Sequence, residues 1–324
     1  MFLKDRKIKT PAFIVIACVL IAAVLIVFAI VYSNSSRFPS ADIKDATGYK
    51  VRAESWYRVN RFHKLNGVAL VIHGLNLRPE RMKPIITGLN QAGIDVLNLS
   101  LHGHGSNYVP KRHIDIDEQR LESFRTVTYE MWSSEVYRAY GQIRKKADRK
   151  QVPVFLVGYS LGGLLGCDLL VSHPDVFFDR MILFAPALNV TIESYLLKAL
   201  APFPALVIDS LSQKSYRSND GTPMAAYKAV FETISHFETN ISMKLNVPTI
   251  IFIDEKDEFV SCSRLKEMIA QNKLDQWQVQ VIQKDYDVNN RTTHHQMIDK
   301  DSVGRNTWKH IVNAMKQHVS PDYP

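Results

Sequence analysis

The segment Gly158-Tyr159-Ser160-Leu161-Gly162-Gly163 constrains the fold of this chain more than any other. It follows the apolar run 154–157 and precedes a second apolar pair, Leu164-Leu165. A buried strand that enters a helix through a Gly-x-Ser-x-Gly turn holds its serine in strained backbone geometry above the sheet. The helix behind the turn points its partly positive N-terminal end at the serine. We therefore predict that Ser160 is a nucleophile.

Other apolar runs along the chain alternate with segments of helical spacing. Residues 82, 85, 86 and 89 are apolar and predict one helix, and residues 132, 136, 140 and 143 predict another. Strands are predicted, one or two of them within 49–61, and one each at 68–72, 94–101, 154–157, 181–184, 249–253 and 277–282. Strands that alternate with helices predict an α/β fold with a doubly wound, mostly parallel sheet.

Residues 188–242 interrupt this alternation, because they are too many for a single crossover helix. The range is rich in apolar residues, and Pro202 and Pro204 divide it. We interpret about 188–242 as a small helical cap inserted over the site of Ser160. The alternative interpretation is that these residues simply cover the sheet.

A serine nucleophile needs a base to accept its proton, and the base needs an acid to orient it. Four carboxylates follow the predicted strand 249–253, and Asp257 is the preferred acid, ahead of Asp254 and Glu255. Two adjacent histidines follow the last strand, and His295 is preferred over His294 as the base. Apolar residues at 308, 311, 312 and 315 predict a final helix, and His310 and His318 on it are predicted to be surface residues.

Two backbone N–H groups are expected to stabilise negative charge on an oxygen beside Ser160. One is that of Leu161, the residue after the nucleophile. The other lies in the turn His73-Gly74-Leu75-Asn76, and Leu75 is the best candidate there. Only one glycine follows His73, so the triple-glycine form of such a turn is absent.

These motifs together resemble the α/β-hydrolase superfamily, in its monoacylglycerol lipase, lysophospholipase and serine aminopeptidase-like branch. His73-Gly74, Gly103-His104-Gly105 and the 158–163 segment occur in that branch's order, and the resemblance spans about 50–320. Two positions depart from the branch. His102 replaces the usual arginine before Gly-His-Gly, and Asp254 replaces a frequent glycine.

The resemblance implies a serine hydrolase acting on carboxylic esters, with Ser160, Asp257 and His295 as the catalytic residues. An apolar cap favours a lipid-like ester of monoacylglycerol or lysophospholipid type. A peptidase, an amidase or an acyltransferase with the same triad is an alternative, as is a non-catalytic binding protein on this fold. The motifs imply no cofactor.

The N-terminal segment differs in composition from the rest of the chain. Residues 12–32 contain no charge and are long enough, at roughly 31 Å as a helix, to span a bilayer. The basic tail 1–11 precedes them and the linker 33–45 follows, ahead of the hydrolase domain at 46–324. The basic tail predicts a single-pass signal-anchor, with a cytoplasmic N-terminus and an extracytoplasmic catalytic domain. A cleaved signal peptide, or a lipoprotein signal ending at Cys18, is the alternative.

Charge and cysteine content exclude other classes of protein. The net charge of +8 lies partly in the basic tail, and there is no dense Lys/Arg cluster with interleaved aromatic residues, so we expect no nucleic-acid partner. Cys167 and Cys262 are predicted to pack as small apolar groups. No Cys-x-x-Cys or His-Glu-x-x-His motif is present, and no metal site is expected.

Overall fold

The computed structural model of the chain describes residues 53–60, 62–191, 202–210, 212–288 and 292–320. The strands of its main sheet are β1 (Glu54–Tyr57), β2 (Gly67–Ile72), β3 (Ile94–Leu99), β4 (Val154–Tyr159), β5 (Arg180–Phe184), β8 (Thr249–Ile253) and β9 (Trp277–Val281). Among the described residues these seven strands lie in the order β1-β3-β2-β4-β5-β8-β9. A separate antiparallel pair consists of β6 (Val207–Asp209) and β7 (Gly221–Pro223).

Every neighbouring pair in the main sheet is parallel except β1 with β3. Strands β2, β3, β4 and β8 are buried along their whole length. This burial on both faces explains why β2, β4 and β8 are largely continuous apolar runs rather than alternating ones, whereas β3 also buries Asp95 and Asn98. The predicted α/β fold with a mostly parallel sheet is confirmed, and the strand ends that precede His73, Ser160 and Asp254 lie at one edge of the sheet.

Helices cover both faces of the sheet, as right-handed crossovers require. They are α1 (Lys83–Gln91), α2 (Ile116–Phe124), α3 (Tyr129–Lys150), α4 (Leu161–Ser172), α5 (Met224–Asn240), α6 (Cys262–Gln271), α7 (Lys300–Val303) and α8 (Arg305–His318), with 3-10 turns at Pro79–Met82 and Met243–Leu245. Helices α1 and α8 pack together, and α3 and α4 form the other layer. The predicted apolar face of α3, with Trp132, Val136 and Tyr140, is buried there.

The range predicted as a cap divides into parts with different surroundings. Helix α5, which makes up its last third, packs against α4 and α3 and so thickens the layer on one face of the sheet. Residues 212–221 instead contact the turn that follows β2, through an isolated bridge between Leu77 and Arg217. Residues 192–201 lie outside the described part of the chain, and the cap over Ser160 stays a prediction.

His318 contradicts the expectation that it is a surface residue, although His310 is exposed as predicted. The last turn of α8 lies beside the start of β5, where Arg180 donates a hydrogen bond of 2.6 Å to the carbonyl of His318. Burial, and then the charge of Arg180, lower the pKa of His318 to about 4. The neutral imidazole is therefore favoured in the folded chain.

This buried histidine predicts a loss of stability in acid. An unfolded histidine has a pKa near 6.5, so the unfolded chain binds more protons than the folded chain as the pH falls from about 6.5 towards 4. His318 alone is expected to lower the free energy of unfolding by roughly 2 kcal/mol between about pH 7 and pH 4.5. Denaturant unfolding of wild type and His318→Leu at both pH values measures this. An equal pH dependence in the two proteins would contradict it.

The predicted single-pass membrane location requires correction. No helix within the described ranges is long and apolar enough to cross a membrane. Residues 12–32, on which the prediction was based, lie outside those ranges. We therefore withdraw the assignment of a cytoplasmic N-terminus and an extracytoplasmic catalytic domain.

Candidate active site

Ser160 lies at the tight turn between β4 and α4 with φ 51° and ψ −114°. This is a left-handed backbone conformation that a residue with a side chain adopts only under strain. The strain is held by hydrogen bonds, because Ser160 N–H donates to the carbonyl of Phe184 and its own carbonyl accepts from Ala187. The backbone of Ser160 is thus held against the end of the neighbouring strand β5.

The two motif glycines allow the close approach of backbone that this turn needs. A Cβ on Gly158 would lie 2.5 Å from the Cα of Gly163, and a Cβ on Gly162 would lie 2.1 Å from the carbonyl oxygen of Ile72. Both contacts are with backbone, which cannot move aside as a flexible side chain can. The first turn of α4 therefore packs directly on the end of β2.

A chain of hydrogen bonds connects Ser160, His295 and Asp257. The Nε2 of His295 is 2.9 Å from the Oγ of Ser160, and its Nδ1 is 2.7 Å from Oδ2 of Asp257. A carboxylate only accepts hydrogen bonds, so Nδ1 carries the proton and the lone pair of Nε2 faces the serine hydroxyl. Nε2 is therefore in position to accept the serine proton.

Asp257 is held in place by more than its histidine. Its Oδ1 accepts hydrogen bonds from the N–H groups of Phe259 and Val260, at 2.8 and 2.9 Å, and its side chain is completely buried. The ring of Phe259 meets the His295 imidazole edge-on, and Tyr159 donates to the His295 carbonyl. These contacts leave both side chains little freedom to turn away from Ser160.

A second histidine–aspartate pair lies beside the first. Nδ1 of His294 is 2.8 Å from Oδ2 of Asp254, whose other oxygen accepts from the N–H of Lys256. Glu255, the third candidate acid, is exposed and faces Lys266 at 3.6 Å. The alternative base His294 is thus paired with the alternative acid Asp254. The His295–Asp257 pair is the one that contacts Ser160.

The turn after β2 passes next to Ser160. A Cβ on Gly74 would lie 3.3 Å from the Cβ of Ser160 and 2.8 Å from the Tyr159 ring. Within the described ranges, the N–H groups of Leu75 and Leu161 have no acceptor. Two unused donors beside the Ser160 hydroxyl have the arrangement that binding of an oxyanion requires.

Two buried histidines hold this turn against the loop after β3. His73 donates from Nδ1 to the carbonyl of Gly74, and its Nε2 accepts from the N–H of Leu101. The Nε2 of His104 accepts from the N–H of Asn76 at 3.0 Å. Burial lowers the pKa of His73 to about 4 and that of His104 well below its usual range, so both rings are neutral and can accept.

Asn219, far along the chain, completes the support of the turn. Asn76 has φ 53° and donates from its amide to the carbonyl of Asn219, while Asn219 N–H donates back to Oδ1 of Asn76 at 2.9 Å. The Asn219 amide also donates to the carbonyl of Gly103. The sequence places Asn76 in the predicted turn but does not indicate its pairing with Asn219, because residues 143 positions apart carry no shared motif.

In the described part of the chain, no group of three or more His, Cys, Asp or Glu side chains is arranged to hold a metal ion. Cys167 and Cys262 are both free and buried. Burial raises the pKa of the Cys167 thiol, which favours its neutral form.

Comparison with known proteins identifies the family. The family model described as serine aminopeptidase, S33 (Hydrolase_4) matches residues 63–232, which is more than half of the chain. The chain belongs to this family. As a Hydrolase_4 member it is an α/β hydrolase, as the 73–74, 103–105 and 158–163 motifs predicted.

One relative supports the same placement. The thermostable monoacylglycerol lipase of Bacillus sp. (strain H-257) is 28% identical over 117 residues, which are 36% of this chain and 40% of the relative. The match thus spans less than half of that lipase.

Solved structures share the fold. A structure reported with the metagenome-derived lipolytic enzymes LipS and LipT has a TM-score of 0.62 and 18% identity, covering 83% of this chain and 98% of its own. A soluble variant of monoglyceride lipase from Saccharomyces cerevisiae has a TM-score of 0.65 and 13% identity, covering 82% of this chain and 90% of its own. At these identities the likeness extends to the fold alone.

Proposed function

We propose that this Hydrolase_4 member is a serine hydrolase that cleaves carboxylic esters of monoacylglycerol or lysophospholipid type. One observation carries the proposal: the hydrogen-bonded series from the Ser160 hydroxyl through His295 to the buried carboxylate of Asp257. A serine in a strained turn, with a base at 2.9 Å and an oriented acid behind it, is the arrangement of an activated nucleophile.

In the proposed mechanism, Oγ of Ser160 attacks the acyl carbon while Nε2 of His295 takes the hydroxyl proton. Asp257 keeps the proton on Nδ1 and stabilises the imidazolium that forms. The N–H groups of Leu75 and Leu161 bind the oxyanion of the tetrahedral intermediate. His295 then gives its proton to the departing alcohol, which leaves the acyl group as an ester on Ser160.

Water completes the proposed cycle. His295 takes a proton from a water molecule, which attacks the acyl carbon, and the collapse of the second intermediate returns the proton to Ser160. The lipid character of the substrate is supported by the similarity to the Bacillus monoacylglycerol lipase. The apolar residues of 188–242 support it as well.

Labelling with a fluorophosphonate probe, followed by peptide mapping, tests the nucleophile. We expect the phosphonyl adduct on the peptide that contains Ser160. Hydrolysis of monoacylglycerols and lysophospholipids with short, medium and long acyl chains then tests the substrate class. A folded protein that takes no probe and cleaves no ester of any length would contradict the proposal.

The family description leaves one rival, since aminopeptidases cleave amides with the same kind of triad. Aminoacyl and peptidyl chromogenic amides are therefore included in the same assay. Hydrolysis of these amides with no turnover of any ester would replace the proposed function by that of a peptidase.

Asn76 provides a prediction about the oxyanion turn. Asn76→Ala removes the amide that Asn219 contacts and leaves alanine at φ 53°, so the turn should shift and kcat should fall by about 100-fold. Asn76→Gly removes the same amide but tolerates the positive φ. Steady-state kinetics and thermal melts of both variants separate the two effects. Wild-type kcat in Asn76→Gly would show that the amide does not position the turn.

A further inference from the structure

A buried lysine lies against the loop that carries His295. Lys284 follows β9 and is only 9% exposed. Its ammonium donates hydrogen bonds to the hydroxyl of Thr292 and to the carbonyls of Thr293 and Gln296, at 2.8, 2.5 and 2.9 Å. Three N–H donors thus meet three acceptors that lie on either side of His295. The ammonium of this lysine therefore donates to two backbone carbonyls and one hydroxyl of a single loop.

Glu258 holds the same loop from the other side. Its two carboxylate oxygens accept from the N–H groups of His294 and His295, at 2.9 and 3.0 Å. Glu258 follows Asp257 directly, so these bonds connect the loop of the acid to the loop of the base. The Lys284 ammonium thus binds carbonyls of the 292–296 loop, and the Glu258 carboxylate binds its N–H groups.

We propose that Lys284 and Glu258 are positioning residues for the base His295, an inference that rests on the proposed serine hydrolase function. None of the hydrogen bonds that the described structure gives these two side chains goes to Ser160 or to the imidazole, so both act through the loop. His295 has to keep two hydrogen bonds at once, to Ser160 and to Asp257. A displacement of about 1 Å at such a group costs about 100-fold in rate.

The charges around Lys284 make its contribution dependent on pH. The carboxylates of Asp254, Asp257, Glu258 and Asp299 face the ammonium and favour its charge, but burial outweighs them and lowers its pKa to about 8. His294 and His295 are the other titratable groups on this loop. Above about pH 8 the neutral amine keeps only two N–H donors for three acceptors. The hydrogen bonds that hold the 292–296 loop on Lys284 are therefore weakened in alkaline solution.

The free energy of unfolding depends on pH in the opposite direction to the hold of Lys284 on the loop. An unfolded lysine keeps its proton up to a pKa near 10.4, so between about pH 8 and 10.4 the unfolded chain binds more protons at this position. The contribution of Lys284 to stability therefore rises with pH in this window. Deprotonation of Lys284 above about pH 8 is therefore expected to lower kcat without lowering the free energy of unfolding.

The variants Lys284→Met and Lys284→Arg test the lysine, with Lys309→Met on the exposed face of α8 as the matched control. Each is assayed for kcat and KM on one ester from about pH 6 to 10. We expect Lys284→Met to lower kcat 10- to 100-fold with KM changed less than about threefold, and to lack the alkaline limb near pH 8. Lys284→Arg keeps its charge, so part of kcat should return, also without that limb.

Glu258→Ala provides a test that does not depend on a buried site, because Glu258 is exposed and its loss should leave the fold intact. It is expected to lower kcat about 10-fold with little change in KM. Wild-type kcat in Glu258→Ala, or a wild-type pH profile in Lys284→Met, would overturn the proposal. If Lys284→Met does not fold, Glu258→Ala decides alone.

Amide hydrogen exchange separates this proposal from the proposed function. Exchange of the peptide spanning 292–296 is expected to be faster in Glu258→Ala and Lys284→Met than in wild type and Lys309→Met. This readout does not need turnover. A wild type that cleaves no ester would end the proposed function, whereas unchanged exchange in both variants would end the proposal about the loop.

Discussion

Replacing Ser160 by alanine is expected to lower kcat for ester hydrolysis by about 10⁵- to 10⁶-fold and to abolish labelling by a fluorophosphonate. The variant keeps Leu75, Leu161, His295 and Asp257 but has no oxygen that can form the acyl-enzyme. The remaining rate would come from the oxyanion donors and from binding alone. Steady-state kinetics on the best ester measures the loss.

Thermal melts accompany this variant, because alanine at φ 51° keeps the backbone strain of the native turn while it loses the hydrogen bond to His295. Ser160→Gly removes the strain as well and should unfold at a higher temperature than Ser160→Ala. Ser134→Ala, on the exposed face of α3, is the matched control and should behave as wild type. Substantial turnover by Ser160→Ala would mean that the nucleophile is another residue.

The parts of the fold that could be predicted are those in which local sequence decides the structure. Strands β2, β4 and β8 are continuous apolar runs because both of their faces are covered, and runs of this kind are visible without any tertiary information. The Gly158 and Gly162 positions are equally local, since the close approach at a tight turn leaves no alternative residue. The order of the strands in the sheet, in contrast, is not a local property, and the apolar runs do not predict it.

The adjacent candidates at the site show where spacing stops being informative. Asp254 and Asp257 lie three residues apart, and His294 and His295 are neighbours, so each pair follows its strand at a similar distance. The direction of each side chain depends on the loop backbone, which bonds within the loop determine, such as those from Phe259 and Val260 to Asp257. The preference for Asp257 and His295 agrees with the pair that contacts Ser160.

Long-range contacts account for what was missed. The sequence does not indicate that Asn219 pairs with Asn76, or that Lys284 is buried with three acceptors on one loop. Helix α5 illustrates the same limit. Its apolar residues could be buried either over Ser160 or against α4, and the sequence does not distinguish the two. His318 likewise follows the helical pattern of a surface residue, and only the position of β5 buries it.

Asp257→Asn is expected to lower kcat by about 10³- to 10⁴-fold while leaving the fold intact. The asparagine has nearly the shape of the aspartate, but its amide can donate to Nδ1 of His295. The proton of the neutral imidazole then moves to Nε2, which can no longer accept the proton of Ser160. Fluorophosphonate labelling should slow by a similar factor, because the probe needs the same activated hydroxyl.

The second histidine–aspartate pair supplies the matched comparison, since Asp254→Asn makes the same chemical change in the same loop. His294 contacts Asp254 and not Ser160, so kcat in this variant should fall by less than about 10-fold. The ratio of the two losses is therefore informative even if the loop itself is slightly disturbed by either change. A larger loss in Asp254→Asn than in Asp257→Asn would assign the role of base to His294, because only the working base depends on its carboxylate to keep the correct tautomer.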